Sequence, residues 1–466
     1  MKLPVNTIML ADAYKYTHWL QIPEKTEYIE LHEMARGSNI PEIDYTRQFG
    51  LQGFLKDYLE GRVIEPWMLD EADETLAGVF GTNQYFNRKG FQYIIDEYDG
   101  HIPLEIYSLD EGLKVPLKVV SSVIKTKKDK RVAWVGPWIE TMLLRGMWYG
   151  KAVATISSAV KDLEREFAAL CGAPDNPFFL NDFGARGVSS HESAEIGGTA
   201  HAVNYWGSDT VECLPWARNR YGKGVNLYSV FATEHNSTII YTKEKELDAY
   251  THFLKQVPKD KIASIVIDSY DPEIAVKELL GTKLKDVILE RIAPTVFRPD
   301  SGDPVYMSLS VINWLWEKFG GTIRTYNGKD FKILNPKIKV IYGDGIHLNS
   351  IRAILQNLID HGYSTENIIF GMGGKLLQSV DRDTFNEAMK AWYAIVNGQP
   401  VDIYKDANGK KSLKGRHKVC RIDQKLVNVP IENLPHYKDE LKLRFDTGVL
   451  YNTVTMEDIW ANKKYD

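Results

Sequence analysis

Ala263-Ser-Ile-Val-Ile-Asp268 closes a short β-branched run on an aspartate, and Ser-Tyr-Asp leads from there into a helical pattern over Glu273 to Leu280. The same order recurs three times. Thr295-Val-Phe-Arg-Pro-Asp300 passes through Ser-Gly-Asp-Pro into Val305 to Phe319, and Lys339-Val-Ile-Tyr-Gly-Asp344 passes through Gly345 into Asn349 to His361. Asn367-Ile-Ile-Phe-Gly371 leads through Met-Gly-Gly into Leu376. An apolar run, a polar turn and an amphipathic helix in that order mark βα units on a parallel sheet. Polar residues stand just past the C-terminal end of each strand, where α/β barrels and open sheets both carry active sites. The spacing is irregular and the units number fewer than eight, so the expected fold is α/β with an irregular (β/α) barrel.

Working outward, residues 151–395 are expected to form that barrel and carry the active site. Residues 1–150 mix strand-like pieces such as Glu27-Tyr-Ile-Glu-Leu-His32 with amphipathic helices, an α+β sheet layer. The turn-rich, Lys-rich segment 396–466 is expected to return to that layer. With 57 Lys+Arg against 62 Asp+Glu over 466 residues, the net charge of -5 favours neither nucleic acid nor an anionic membrane as partner. Any anionic ligand must be met by a local cluster. Cys171, Cys213 and Cys420 are odd in number and widely spaced, which suits a reducing cytoplasm better than a disulfide framework. The N-terminal apolar run is broken by Asp12 and Lys15, so no signal-peptide core is expected.

Several groups of residues can carry chemistry. Asn181-Asp-Phe-Gly-Ala-Arg-Gly187, between a strand at Phe178 to Leu180 and a helix over Val188 to Tyr205, would aim backbone N–H groups and Arg186 at an anion. The plainer reading puts Phe183 in the core and pairs Arg186 with Asp182. Glu234-His235 ends another strand and offers a metal ligand, a base or a phosphate acceptor; a histidine there is also often structural. Asp268, Asp300 and Asp344, on separate strand ends, would converge on one mouth suited to Mg2+ and sugar hydroxyls, though any one of them could be a helix cap. Gly343-Asp-Gly345 and Gly371-Met-Gly-Gly374 can form phosphate-binding nests or plain turns, and neither has P-loop spacing. Arg382, Lys390, Lys405, Lys410, Lys411, Lys414 and Arg416 form a basic run that, alone, reads as a solvated face.

These motifs, in this order, resemble the nicotinamide phosphoribosyltransferase family from Leu10-Ala-Asp-Ala-Tyr-Lys-Tyr-Thr-His18 to Lys414-Gly-Arg416. The strongest matches are Asp182-Phe-Gly-Ala-Arg-Gly-Val-Ser-Ser190, Gly207-Ser-Asp-Thr210, Glu234-His235, Asp268-Ser-Tyr-Asp271, Arg298-Pro-Asp-Ser-Gly302 and Gly343-Asp-Gly345. The resemblance implies the type II phosphoribosyltransferase fold and a head-to-tail homodimer with two shared active sites. It implies that Phe183 and the partner subunit's Tyr14 sandwich a pyridine ring, and that Asp209 and Arg298 hold its carboxamide. Asp300 and Asp344 would meet the ribose of 5-phosphoribosyl 1-pyrophosphate. Arg186, Gly343 and Gly374 would take its 5-phosphate, Asp268 and Asp300 would stand on the Mg2+ and pyrophosphate side, and Ser301 and Gly373 would also bind substrate. Arg36, Arg382, Lys390, Lys405 and Lys410 would bind pyrophosphate or ATP phosphates, and His235 would be a phosphorylated histidine through which ATP drives synthesis. Ala185, Ala388 and the short segment between Lys405 and Lys410 depart from the family pattern. The implied reaction converts nicotinamide to nicotinamide mononucleotide in NAD salvage; a nicotinate enzyme and a non-catalytic nucleotide-binding protein are the alternatives.

Overall fold

The computed structural model describes residues 5–407, 410–433 and 437–462. The chain divides into two compact units. One comprises Met1–Thr155, Ala217–Val225 and Asp381–Asp466, the other Ile156–Trp216 and Asn226–Val380. The helix Val135–Cys171 contributes to both. Among the described residues no helix is long and apolar enough to cross a membrane.

In the first unit a seven-stranded sheet runs Gln399–Asp402, Glu387–Val396, Thr26–Ala35, Ser122–Thr126, Leu104–Ser108, Lys442–Asp446, Val449–Leu450. Every pairing in it is antiparallel. The strand Thr26–Ala35 carries polar and apolar residues on both faces, Ile29, Leu31 and Glu33 on one and Tyr28, Glu30, His32 and Met34 on the other. Nearly all of it is buried. Ile29 and Leu31 pack into one core with helices including Leu51–Tyr58 and Pro66–Phe80, while Tyr28 and Met34 pack into a second with Val123, Trp392, Val419 and Leu426. Its polar residues Glu30, His32 and Glu33 are therefore sealed on both faces.

The second unit holds the parallel sheet, ordered Gly207–Ser208, Leu180–Asp182, Ile368–Met372, Ile338–Tyr342, Thr295–Arg298, Ala263–Val266, Phe231–Ala232. Each pair is parallel. The two edges meet through one stretch of backbone. Tyr228 N–H donates to Trp206 O and Ser208 N–H donates to Tyr228 O, and three residues on Phe231 pairs with Ala263. The strands thus follow one another around a ring in chain order, a seven-membered irregular barrel. Ile265, Phe297, Val340 and Phe370 are fully buried.

Local boundaries differ from expectation at three places. The strand expected at Phe178 to Leu180 lies at Leu180–Asp182. The helix after it is His191–His201 rather than Val188 to Tyr205, because Ser190 caps it by accepting from Ser193 N–H. The helix from Glu273 to Leu280 is a turn at Pro272–Ile274 followed by Ala275–Lys283 wound with i to i+5 bonding, as in Leu284 N–H to Leu279 O.

Candidate active site

The barrel delivers three aspartates to one rim by the same device. Asp268, Asp300 and Asp344 are each the second residue after their strands, which end at Val266, Arg298 and Tyr342. Since Val266 pairs with Arg298 in register, Asp268 and Asp300 come out side by side. Asp268 is almost wholly enclosed. Its Oδ2 accepts from Asp300 N–H at 2.9 Å and Ser301 Oγ–H at 2.5 Å, and its Oδ1 lies 3.2 Å from His235 Nε2. His235 opens the five-residue helix His235–Ile239, which Glu234 and Ser237 close in a reciprocal capping box. Its Nδ1 stands 3.9 Å from Asp300 Oδ2.

Asp300 is the electrostatically stressed member. Burial raises its carboxyl above the usual carboxylate range; Arg298 opposes this, Asp268 adds to it, His235 opposes it and Asp344 adds to it. A divalent cation would relieve that imbalance, so the donor set fits Mg2+. Among the described residues no cluster of three or more His, Cys, Asp or Glu is arranged to hold an ion alone.

Within the same barrel a cavity of about 390 Å³ is lined by Phe183, Asp209, Ser229, Phe231 and Arg298 among others, and Arg298 links it to these acids. Phe183 follows Asp182 at a strand end, and its N–H bonds Met372 O at 3.0 Å. Glycine lets its ring lie across the neighbouring strands: a Cβ on Gly371 would stand 2.0 Å from the ring, and one on Gly343 3.3 Å. Asp182 turns inward, accepting from Gly184 N–H at 2.7 Å and Ser208 Oγ–H at 3.2 Å. The pairing of Arg186 with Asp182 is therefore wrong. Arg186 is 89% exposed, with Nη2 3.8 Å from Glu234 Oε2, because Asp182 is occupied by the turn it stabilises. Phe183 is half-buried on the cavity wall rather than in the core.

Asp209 is anchored by its N–H to Asp182 O, and its exposed carboxylate accepts from Ser229 Oγ–H. Arg298 is 16% exposed; its Nη2 is 3.8 Å from Asp300 Oδ2, and its buried Nε–H has no hydrogen-bond partner. That is a donor held ready for an acceptor in the cavity. Gly187 backs closely on Gly374, where a Cβ would come 3.1 Å from its Cα, and Ser189 N–H bonds Gln378 Oε1 at 3.0 Å. The Arg186 turn and the Gly373-Gly374 turn are thus brought together. Ser229 was not expected from sequence, as it sits in no patterned segment, whereas Gln378 closes the Gly373-Gly374 stretch that carries the family resemblance.

The remaining candidates belong to the first unit. Tyr14 is exposed, its ring centroid 5.3 Å from that of His18. Arg36 Nε–H donates to Asn386 O at 3.3 Å, Arg382 pairs with Asp383 at 2.8 Å, and Lys390 Nζ is 3.9 Å from Glu140 Oε1. Lys405 is exposed. The side chain of Lys410 lies outside the described residues.

Residues 178–446 match the nicotinate phosphoribosyltransferase family, and residues 6–106 match the N-terminal domain of nicotinamide phosphoribosyltransferase. Nicotinamide phosphoribosyltransferase of Xanthomonas campestris pv. campestris is 40% identical over 89% of this chain and 88% of its own length. The enzyme of that name from Acinetobacter baylyi is 31% identical, covering 98% and 97%. The fold is also that of two crystal structures. Nicotinate-nucleotide pyrophosphorylase from Pyrococcus furiosus has a TM-score of 0.64 at 15% identity, over 99% of this chain and 96% of that one. Human nicotinic acid phosphoribosyltransferase has 0.58 at 13%, over 98% and 93%. A barrel of this order, with acids and an aromatic on one rim, and relatives this similar over nearly their whole length establish that the chain belongs to the nicotinamide phosphoribosyltransferase family of type II phosphoribosyltransferases and is a pentosyltransferase.

Proposed function

We propose that the enzyme transfers the phosphoribosyl group of 5-phosphoribosyl 1-pyrophosphate to nicotinamide, giving nicotinamide mononucleotide and pyrophosphate for NAD salvage in the cytoplasm. The observation that carries this reading is the pair at the cavity: Arg298 offers an unpartnered buried N–H, and Asp209 offers a carboxylate. A carboxamide answers both, its oxygen accepting from Arg298 and its NH2 donating to Asp209. Nicotinate would set a second carboxylate against Asp209. The names of the relatives in Xanthomonas and Acinetobacter support the same substrate.

The pyridine nitrogen brings its own lone pair, so no general base is needed to form the N–C1 bond as the C1–O bond to pyrophosphate breaks. The protein's work is to orient the ring and to favour positive charge on the ribose. Phe183 supplies one aromatic face, and Tyr14 of the partner subunit in a head-to-tail homodimer supplies the other. Asp300 and Asp344 face the ribose, and Arg186 with Gly343, Gly373 and Gly374 receives the 5-phosphate. Mg2+ bound by Asp268 and Asp300 would neutralise charge on the diphosphate. Arg36, Arg382, Lys390, Lys405 and Lys410 bind pyrophosphate or ATP phosphates.

His235 is the phosphate acceptor in ATP-stimulated synthesis. With Nε2–H donating to Asp268, Nδ1 keeps its lone pair; it forms the N–P bond to the γ-phosphorus of ATP as the bond to the leaving ADP oxygen breaks. Purified protein given nicotinamide or nicotinate with 5-phosphoribosyl 1-pyrophosphate, Mg2+ and ATP tests the substrate: faster turnover of nicotinate would overturn it. His235→Ala should lose ATP hydrolysis and its stimulation yet retain slow transfer. Loss of all transfer in a folded variant would make the imidazole part of the transfer itself.

A further inference from the structure

Three ionisable side chains are sealed together in the first unit, and none has a part in the chemistry above. Lys151 on the long helix, Glu33 on the Thr26–Ala35 strand and Glu387 on the Glu387–Val396 strand are each no more than 2% exposed. Glu33 lies opposite Met389 and Ala35 opposite Glu387, so the two glutamates are diagonal neighbours on one face of the sheet. Lys151 Nζ is 2.6 Å from Glu33 Oε1, 3.1 Å from Ser121 Oγ and 3.3 Å from Glu387 Oε2, which engages all three of its donors. Ser121 Oγ–H in turn donates to Glu33 Oε2.

One lysine facing two ionised glutamates would leave a net negative charge with no water to solvate it. A proton on Glu387 removes that charge and supplies an O–H to Glu33. Burial pushes the Glu387 carboxyl well above its ordinary range; Lys151 opposes this and Glu33 adds to it. For Glu33, burial alone acts upward, but Lys151, Glu387 and Ser121 bring it down to about 2.

The exposed cations leave the sheet where this network grips it. The backbone N–H of Glu387 donates to the carbonyl of Arg382 at 3.0 Å. Arg36 follows Ala35, the cross-strand partner of Glu387, and its N–H and Nε–H both reach Asn386 O, at 3.4 and 3.3 Å. Asn386 is held at a left-handed φ of 52°. Lys390, three residues along, pairs with His32. A slip or splay between these two strands would move Arg36 relative to Arg382 and Lys390.

We propose that Lys151, Glu33 and Glu387 are positioning residues, a buried clamp that fixes the two strands so that Arg36, Arg382 and Lys390 form one anion site. Glu387 is its protonated, uncharged member. The proposal rests on the reading of those cations as pyrophosphate ligands, and direct binding separates the two ideas. Inorganic pyrophosphate with Mg2+ is titrated calorimetrically into the full-length protein, the Lys151→Met/Glu33→Gln double variant and Glu387→Gln. The double variant leaves no buried charge behind, so it should fold, and it should bind pyrophosphate at least about tenfold more weakly. Glu387→Gln keeps an uncharged donor and should bind as the wild type does, while removing an infrared band of a protonated carboxyl at neutral pH.

A folded double variant with undiminished binding would sink the clamp, as would a tenfold loss in Glu387→Gln or the absence of its infrared band. If the double variant does not fold, Ser121→Ala, which removes one donor and no charge, takes its place: weaker binding supports the clamp and unchanged binding overturns it. No binding by the wild type would instead remove the anion-site reading on which the clamp rests.

Discussion

The barrel rim and the antiparallel sheet each crowd two carboxyl groups together, and they resolve the crowding in opposite ways. In the sheet, Glu33 and Glu387 share one lysine, every donor of Lys151 is used, and the group is closed to solvent. At the rim, Asp268 is satisfied while Asp300 remains half-buried among Asp268, Asp344, Arg298 and His235, with its carboxyl pushed up and an N–H of Arg298 unanswered. The first arrangement closes on itself once Glu387, whose Oε1 otherwise lacks a hydrogen-bond partner, carries the proposed proton. The second keeps a raised carboxyl and an unpartnered N–H, demands that the proposed cation and amide would meet. Stability and catalysis draw on the same chemistry but leave different remainders.

Breaking the closed group should have the largest effect. Lys151→Met alone strands Glu33 as an uncompensated buried charge and should lower the unfolding free energy by about 3–5 kcal/mol, read from urea denaturation. Adding Glu33→Gln should recover most of that loss. A single variant as stable as the wild type would show that the sheet pair is no more self-sufficient than the rim. The rim should respond in the reverse sense: Asp300→Asn should cost about a hundredfold or more in kcat/KM, about 2.7 kcal/mol, without lowering Tm. A fall in Tm to match the fall in rate would erase the contrast.

Asp209→Asn keeps an acceptor for the amide and removes the charge that repels an acid. The kcat/KM ratio of nicotinate to nicotinamide should rise about tenfold, about 1.4 kcal/mol. An unchanged ratio would show that the amide is read elsewhere. The smallest effect is a pH dependence. Because the folded-state pKa of Asp300 is raised, its protonated form contributes stability that is fully present below the ordinary carboxylate range and is lost as pH rises through the raised value. Without Mg2+ the wild type should therefore lose stability over that window relative to Asp300→Asn, by a fraction of the roughly 1.4 kcal/mol per pH unit of one full proton. Parallel Tm profiles for the two proteins would contradict this.

The rim was legible in the sequence because its logic is local. Asp268, Asp300 and Asp344 each follow a β-branched run, and chain order equals ring order. Two of the seven strands, Gly207–Ser208 and Phe231–Ala232, are only two residues long, too short to carry any periodicity. The plainer reading of Arg186 fails for a similar reason: proximity in sequence favours Asp182, and only the turn geometry sends that carboxylate inward. Glu33 was illegible altogether. Its strand mixes polar and apolar residues on each face, with Glu33 beside Ile29 and Leu31, while the lysine that neutralises it is 118 residues away and the second glutamate still farther. Burial of both faces is a property of what packs on a strand, which its own residues do not encode.

The seam of the barrel has a consequence of its own. The ring closes through Tyr228, whose backbone bonds to Trp206 and Ser208 rather than extending into a full ladder. A ring breathes where its ladder is shortest, so the amides of Tyr228 and Ser208 should exchange with deuterium before those of the Thr295–Arg298 strand. Ser229, which steadies Asp209, is the next residue along the seam, and His235 lies six residues beyond it. Fluctuation there would loosen Asp209 and the start of the His235–Ile239 helix in one motion, so the two sites proposed for the amide and for ATP would respond together to the weakest joint of the ring.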